Sequence, residues 1–140
     1  MRRYLLDTSL LAALLNNRPA AVSLIKPWVE RHEAATSILA YAEVIEYIKA
    51  RSDFAQRQAA LRNFLKEVYP YFLTYGILER YADIRRQIRP PHGPGLIGDI
   101  DTLIAATALE RNLTPLTTDE DFQRVPNLKI TLIPRADLRR

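Results

Sequence analysis

The first indication of the fold lies near the start of the sequence, where residues 4–17 read YLLDTSLLAALLNN. The apolar run at residues 4–6 predicts a short buried strand, and Asp7 begins a group of three residue types that commonly cap helices. The apolar run at residues 10–15 then predicts a helix that closes at Asn16 and Asn17. A strand that leads directly into a capped helix is typical of a βα unit.

The same alternation continues through the rest of the chain. Further strands are predicted at residues 34–36, 71–74, 113–117 and 128–133, with helices at 20–31, 38–51, 54–68, 76–88 and 103–110. Strands that alternate with helices predict an α/β protein with a mostly parallel sheet. A length of 140 residues without a linker predicts a single domain over residues 1–140. Ligands of such sheets bind beyond the carboxyl ends of the strands, so functional residues are expected there.

The composition excludes several classes of protein. Hydrophobic residues make up 48% of the chain and charged residues 26%, which is not the composition of a disordered protein. No apolar run approaches the roughly 18–20 residues that span a bilayer, and Asp7 comes too early for a signal peptide. We therefore expect a cytoplasmic protein without a membrane-spanning segment.

The residue types available for chemistry are also restricted. The absence of cysteine excludes disulfides, thiolate nucleophiles and zinc–sulfur sites. The two histidines, His32 and His92, are far apart in the sequence, which argues against a histidine-built metal site or a Ser–His triad. Oxygen ligands would therefore have to hold any metal ion.

Carboxylates recur where predicted strands lead into helices. Asp7 follows the first strand, Asp119 follows the fourth with Asp121 close behind, and Asp99 and Asp101 precede the last long helix. A lone aspartate at such a junction is usually a helix cap, and Asp99 fits that role best. Clustered carboxylates, however, repel one another unless a cation binds between them. Their recurrence at one edge of the sheet predicts a Mg²⁺ or Mn²⁺ site.

Glu43 does not lie at such a junction. The apolar face of the predicted helix at residues 38–51 carries Ile38, Tyr41 and Val44, and Glu43 lies on roughly the opposite side. Periodicity therefore predicts that Glu43 is a solvated surface acid. The spacing alone gives this residue no functional role.

Four segments of the sequence form a series that matches a known pattern. They are LLDTS at residues 5–9, Ser37 with Glu43 six residues later, DTLIAATA at residues 101–108 and LTTDEDF at residues 116–122. Together they resemble the PIN-domain ribonucleases, especially the VapC-type toxins of prokaryotic toxin–antitoxin pairs. The first segment is a weak signal alone, whereas the last two are considerably more specific. The resemblance covers essentially the whole chain.

This resemblance implies a three-layer α/β/α sandwich with a central, mostly parallel sheet and the site of a metal-dependent endoribonuclease. Carried over by position, the acidic pocket consists of Asp7, Glu43, Asp101 and Asp119. Asp7 and Asp101 would be the principal ligands of Mg²⁺ or Mn²⁺. Glu43 thereby gains a role that periodicity does not give it, and Thr117 or Thr118 would assist from the last junction.

Two acidic positions stay open in this comparison. Asp121 is an alternative to Asp119 as the fourth acid, because members of the family vary at this point; we favour Asp119. Asp99 has no firm counterpart in the family pattern. It is therefore a helix cap, an additional acid beside the site, or a ligand of a second metal ion.

The resemblance also implies three partners: an RNA substrate, a cognate VapB-type antitoxin that inhibits the nuclease, and a second copy of the chain in a homodimer. The formal net charge of +4 favours a polyanionic substrate, because basic side chains around an acidic pocket hold phosphates. Arg85, Arg86 and Arg89 are candidate RNA contacts. For each of them, an ordinary solubilising charge is an equally good interpretation.

Two alternative functions compete with this prediction. The sequence Asp99-Ile100-Asp101-Thr102 resembles the D-x-D-x-T signature of haloacid-dehalogenase-type phosphatases, in which the first aspartate accepts the phosphoryl group. That motif should end a buried apolar strand, whereas here it follows GPGLIG at residues 93–98. The second alternative is a catalytically silent PIN-like module that binds RNA or a partner. The presence of a carboxylate at all four matched positions argues against it.

Overall fold

The computed structural model describes residues 1–139, so Arg140, the last residue of the predicted domain, lies outside the described part. The strands are β1 (Tyr4–Leu6), β2 (Ala34–Ser37), β3 (Tyr69–Tyr71), β4 (Thr114–Thr117) and β5 (Thr131–Leu132). The α-helices are α1 (Thr8–Leu15), α2 (Pro19–Glu30), α3 (Ile38–Ile48), α4 (Phe54–Phe64), α5 (Tyr75–Ile88), α6 (Asp99–Arg111) and α7 (Arg135–Leu138). A 3-10 helix, Glu120–Arg124, follows β4. Within residues 1–139, no helix combines the length and apolar character that crossing a membrane requires.

The five strands pair in parallel in one sheet, in the order β3-β2-β1-β4-β5. The chain therefore moves outward from β1 through β2 to β3, and it returns to the other side of β1 at β4. The register aligns Leu6 of β1 with Thr36 of β2 and with Leu116 of β4, so the three central strands end at the same level. The predicted α/β fold is confirmed.

Helices cover both faces of the sheet because successive side chains of a strand point to opposite faces. Leu5 and Ala35 point to the face that α5 and α6 cover. Leu6 and Ala34 point to the other face, which α1, α2 and α7 cover. Helices α3 and α4 pack beside α1 around a third group of buried apolar side chains. The three-layer α/β/α sandwich that the resemblance implies is therefore present.

Several element boundaries differ from those predicted. Strand β3 lies at residues 69–71 rather than 71–74 and includes Pro70, which an edge strand tolerates because one of its sides forms no ladder hydrogen bonds. Helix α4 ends at Phe64 rather than at 68, and β5 is reduced to two residues at the other edge of the sheet. Helix α6 begins at Asp99 rather than at 103, so Asp99 and Asp101 both lie in its first turn, where the helix dipole favours negative charge.

The strand order reverses beside β1, and this reversal determines where a site can form. The two neighbours of β1 are β2, which comes next among the strands, and β4, which comes much later in the chain. Ligands of parallel sheets bind at such a switch point, beyond the carboxyl ends of the adjacent strands. The residues directly beyond β1 and β4 are Asp7 and Thr118.

Candidate active site

Asp7 is the buried carboxylate at the end of β1. Only 6% of its surface is exposed, and it caps α1 by accepting a hydrogen bond from the Leu10 backbone N–H at 3.2 Å. The same oxygen, Oδ1, accepts from the Ser9 hydroxyl at 2.6 Å, and Oδ2 accepts from the Thr117 hydroxyl of β4. Burial raises the pKa of Asp7 above its ordinary value, and these hydrogen bonds lower it in part. The network fixes the carboxylate at the switch point.

Glu43 lies on the wall of the site and is not a solvated surface acid, so the expectation from periodicity was wrong. It is half-buried, and it accepts a hydrogen bond from the Thr8 hydroxyl in the first turn of α1. Helix α3 packs against α1 as well as against α4, so it has two covered faces. A single apolar stripe cannot reveal the second of these faces.

Asp119 and Asp121 surround the start of the 3-10 helix after β4. Asp119 caps this helix, because its Oδ1 accepts from the Asp121 backbone N–H at 2.9 Å. The backbone N–H of Asp119 donates to the Thr117 hydroxyl oxygen at 3.0 Å. Asp121 instead pairs with Arg124, at 3.5 Å between Oδ1 and Nη2. The carboxylate of Asp119 is therefore the one of the two that lines the cavity beside Asp7.

Asp101 faces the other carboxylates from the first turn of α6. It is half-buried, and loss of solvent raises its pKa from 3.8 to about 6, with further increases from the negative charges of Asp119, Glu43, Asp7 and Asp121. None of the hydrogen bonds between residues 1–139 uses its carboxylate. Asp101 is therefore held among like charges without a compensating donor from the described part of the chain.

These carboxylates line one cavity of about 420 Å³. Its lining comprises Asp7, Thr8, Ser9, Ala12, Asn16, Glu43, Val44, Tyr47, Asp101, Thr118, Asp119 and Arg135. Thr118 is half-buried and its hydroxyl donates to the Ser9 hydroxyl oxygen at 3.2 Å, which ties the turn after β4 to α1. The four acids implied by the resemblance are thus together on one surface.

The donor set fits a hydrated divalent cation. All four acids offer hard carboxylate oxygens, and their mutual repulsion, which adds to the effect of burial on the pKa of Asp101, would be relieved by a cation. Across residues 1–139, no three acidic or histidine side chains are close enough to hold one ion by themselves. Mg²⁺ commonly keeps several waters and uses one or two carboxylates, so direct ligation by Asp7 and Asp101 is compatible with this arrangement.

Asp99 lies outside the cavity. It is exposed on the opposite side of the α6 start, where its Oδ1 accepts from Arg85 at 2.8 Å and from the Tyr81 hydroxyl at 3.1 Å. The N-cap of α6 is Gly98, so the expectation that Asp99 is the cap was wrong. A phosphatase motif would need Asp99 at the end of a buried strand, whereas it occupies an exposed first turn.

The three arginines proposed as RNA contacts lie at the end of α5. Arg85 is half-buried and paired with Asp99, whereas Arg86 and Arg89 are exposed. None of the three lines the acidic cavity. The basic side chain that does line it is Arg135, at the start of α7.

Sequence reasoning missed Asn16, Tyr47 and Arg135 as cavity residues. Asn16 continues the spacing of Thr8 and Ala12 by one helical turn, and Tyr47 follows Glu43 by four residues, so helical spacing from the predicted acids could have found both. Arg135 reaches the cavity only through the position of α7, and no spacing in the sequence indicates it.

Comparison with known proteins gives the same architecture. The sequence model described as "PIN domain" matches residues 4–128. Ribonuclease VapC of Rickettsia bellii (strain RML369-C) is 29% identical over 136 residues, which cover 95% of this chain and 98% of that protein. The solved VapBC2 structure from Rickettsia felis, bound to a DNA fragment from its promoter, has a TM-score of 0.81 at 23% identity, covering 93% of this chain and 98% of that one. VapBC-1 from nontypeable Haemophilus influenzae has a TM-score of 0.78 at 25% identity, covering 92% and 96%. The match to the family over most of the chain shows that this protein belongs to the PIN domain family.

Proposed function

We propose that this protein is a metal-dependent endoribonuclease that hydrolyses RNA phosphodiester bonds and is the toxin of a VapBC-type toxin–antitoxin pair. The observation that carries the proposal is the convergence of Asp7, Glu43, Asp101 and Asp119 on one cavity at the switch point of the sheet. The similarity to Ribonuclease VapC and to solved VapBC structures supports it. An RNA substrate also implies that the protein acts in the cytoplasm.

Asp7 and Asp101 would hold Mg²⁺ or Mn²⁺. Bound there, the ion would lower the pKa of water and neutralise negative charge on the reacting phosphate. Asp7 is suited to this role because the Thr117 and Ser9 hydroxyls and the Leu10 N–H fix its orientation. Asp101 is suited because its carboxylate is not committed to a hydrogen bond with any residue in 1–139.

Glu43 and Asp119 would orient water or contribute to a second ion. Each is positioned by a hydrogen bond from its own surroundings, Glu43 by the Thr8 hydroxyl and Asp119 by the Asp121 backbone N–H. Both retain unused oxygen lone pairs, since a carboxylate has about four acceptor positions. They can therefore accept hydrogen bonds from water while remaining in place.

Basic side chains around the four acidic residues would hold the RNA backbone. Arg135 lines the cavity, and no ion pair between residues 1–139 includes it, so it is a candidate for contact with a phosphate next to the cut bond. Arg86 and Arg89 are exposed and would contact RNA farther from the cavity. Arg85 is a weaker candidate because Asp99 already neutralises it.

The proposed antitoxin would act on the same cavity. An acidic cleft attracts a cationic side chain, so we expect an arginine or lysine of a VapB-type partner to enter it and take the place of the metal ion. The proposed homodimer would use a different surface, and Phe72 and Tyr75 beyond β3 are 64% and 86% exposed. Light scattering on the purified chain, with Tyr75→Ser as the variant, tests the homodimer.

The decisive experiment is cleavage of labelled tRNA and mRNA with Mn²⁺, with EDTA and with the Asp7→Asn variant. We expect cleavage by the wild type with Mn²⁺ only. Asp99→Asn is a matched control, since it makes the same substitution outside the cavity and should still cleave. Equal cleavage by Asp7→Asn, or cleavage in EDTA, would show that a contaminating nuclease is responsible. RNA binding without cleavage by the wild type would favour a catalytically silent module, and hydrolysis of p-nitrophenyl phosphate that Asp99→Asn abolishes would favour a phosphatase.

A further inference from the structure

The acidic cavity continues away from the carboxylates as a trench between α1 and α3. One wall is formed along α1 by Thr8, Ala12 and Asn16, and the other along α3 by Glu43, Val44 and Tyr47. Because a helix rises about 1.5 Å per residue, the wall from Thr8 to Asn16 extends about 12 Å. The acids occupy one end of this α1–α3 trench, and Asn16 and Tyr47 occupy the other end.

A chain of hydrogen bonds from α4 holds Asn16. The Arg57 Nη1 donates to the Asn16 side-chain oxygen at 2.9 Å, and the Arg57 Nε donates to Asp53 at 3.0 Å. Asp53 also accepts from the Arg51 Nε at 2.9 Å. Asp53 stands at the N-cap position of α4, yet its side chain makes no capping hydrogen bond to that helix. Its carboxylate is therefore used to hold two arginines rather than to cap a helix.

This chain determines which way the Asn16 amide faces. An arginine side chain only donates hydrogen bonds, so the group of Asn16 that meets Arg57 must be the carbonyl oxygen. The amide NH₂ group then faces the trench, where it can donate a hydrogen bond. The Arg51–Asp53–Arg57 group carries a net charge of about +1 behind it. The far end of the trench thus presents a fixed donor with positive charge behind it, which suits a phosphate or a sugar oxygen.

Tyr47 completes this end of the trench. Its side chain lines the trench and is 64% exposed. No aromatic ring or cation within residues 1–139 packs on its face. Flat aromatic rings of this kind stack on nucleic-acid bases, whatever the base.

We propose that the far end of the α1–α3 trench is a nucleotide subsite, in which the Tyr47 ring stacks on a base and the Asn16 amide donates to the sugar–phosphate backbone of a nucleotide beside the cut bond. The inference rests on the proposed function, because it names how that nuclease site positions its substrate. An aromatic face beside a fixed donor and a net positive charge favours a nucleic acid over a peptide as the occupant.

Tyr47 is tested with the variants Tyr47→Ala and Tyr47→Phe on a labelled RNA oligonucleotide cut at one position. Loss of one base stack corresponds to about a 5- to 150-fold weaker interaction. We expect Tyr47→Ala to raise KM by that factor with kcat changed by less than about threefold. Tyr47→Phe keeps the ring and should restore most of the affinity.

An abasic substrate identifies the contact. Removing the base next to the cut bond should raise the KM of the wild type by the same factor as Tyr47→Ala. The same substrate should raise the KM of Tyr47→Ala no further, because the stack is already absent. Independent, multiplying effects of the two changes would overturn the assignment of Tyr47.

Asn16 is tested with Asn16→Asp. The aspartate keeps an oxygen acceptor for Arg57, so the urea midpoint of unfolding should not fall, but it removes the donor and adds a negative charge toward the phosphate. We expect KM to rise at least about tenfold, since hydrogen bonds to charged groups are among the stronger ones. If the enzyme cuts RNA but KM is unchanged in both Asn16→Asp and Tyr47→Ala, the inference is overturned. The trench would then be assigned to binding of a protein partner. A wild type that cuts no RNA would overturn the proposed function as well.

Discussion

The raised pKa of Asp101 predicts that removing its charge stabilises the metal-free protein. A carboxyl group with a pKa of about 6 when folded and 3.8 when unfolded binds more protons in the folded state between these values, so stability falls as the pH rises through that interval. At about 1.4 kcal/mol per pKa unit, the difference between the two pKa values corresponds to a loss of about 3 kcal/mol in the free energy of unfolding. Because Asp101 is partly exposed, solvent screening reduces this to about 1–2 kcal/mol.

Asp101→Asn is therefore expected to raise the free energy of unfolding by about 1–2 kcal/mol at pH 7 in EDTA, or Tm by about 3–7 °C. The asparagine has nearly the same shape, and no hydrogen bond between residues 1–139 is lost. At pH 4 the two proteins should be nearly equal in stability, because Asp101 is protonated in the folded wild type there. Urea unfolding monitored by circular dichroism at pH 4, 5, 6 and 7 measures this difference.

Divalent metal should reverse the order of stability. A ligand that binds only the folded state adds about 2.7 kcal/mol at a concentration one hundred times its Kd. Mn²⁺ should therefore raise the Tm of the wild type and have little effect on Asp101→Asn, which lacks a proposed ligand.

Two further variants serve as controls for this experiment. Asp99→Asn makes the same substitution in the same helical turn; it removes the charge near the helix dipole and the exposed ion pair with Arg85, each of which is expected to contribute below about 1 kcal/mol. Asp7→Asn should destabilise, because its amide NH₂ would face the donors that now bind Asp7. The reasoning is refuted if Asp101→Asn is no more stable than the wild type at pH 7 in EDTA, or if its advantage is the same at pH 4.

Three other predictions follow from contacts described above. Thr117→Val removes the hydroxyl that positions Asp7, and we expect about a tenfold or greater loss of kcat with a folded protein, measured by RNA cleavage and circular dichroism. Ile104→Ala leaves a cavity in the fully buried layer between α6 and the sheet, and should cost about 2–5 kcal/mol in urea unfolding. The double variant Arg86→Ala with Arg89→Ala should weaken RNA binding at low salt and make its salt dependence shallower; an unchanged slope would mean that neither arginine contacts a phosphate.

The architecture could be predicted from sequence because its signals are local. The run at residues 4–6, the capping group at Asp7 and the apolar helix behind it are adjacent in the chain, and each has one physical interpretation. The strand β3 was misplaced because its aromatic and β-branched composition continues past Tyr71, whereas the pairing with β2 ends there. The end of a strand depends on where its neighbouring strand stops pairing with it, and local residue composition does not indicate this.

The site could be predicted only in part, for a similar reason. Asp7 and Asp119 lie at strand ends, where topology alone brings them together. Glu43 could not be placed from periodicity, because the covering of its helix face by α1 is a tertiary contact, and only the family resemblance implied its role. Asp99 was predicted to cap its helix, but it forms an ion pair with an arginine on α5 instead.

The central position of β1 has a consequence for the timing of synthesis. Residue 7 leaves the ribosome well before residues 117 and 119, which are translated more than one hundred residues later, yet its carboxylate accepts a hydrogen bond from Thr117 and lines the cavity together with Asp119. A nascent chain therefore cannot assemble the acidic cavity until β4 has emerged and inserted beside β1. For a protein whose proposed activity hydrolyses RNA, this order of assembly delays any cleavage until β4 has been translated.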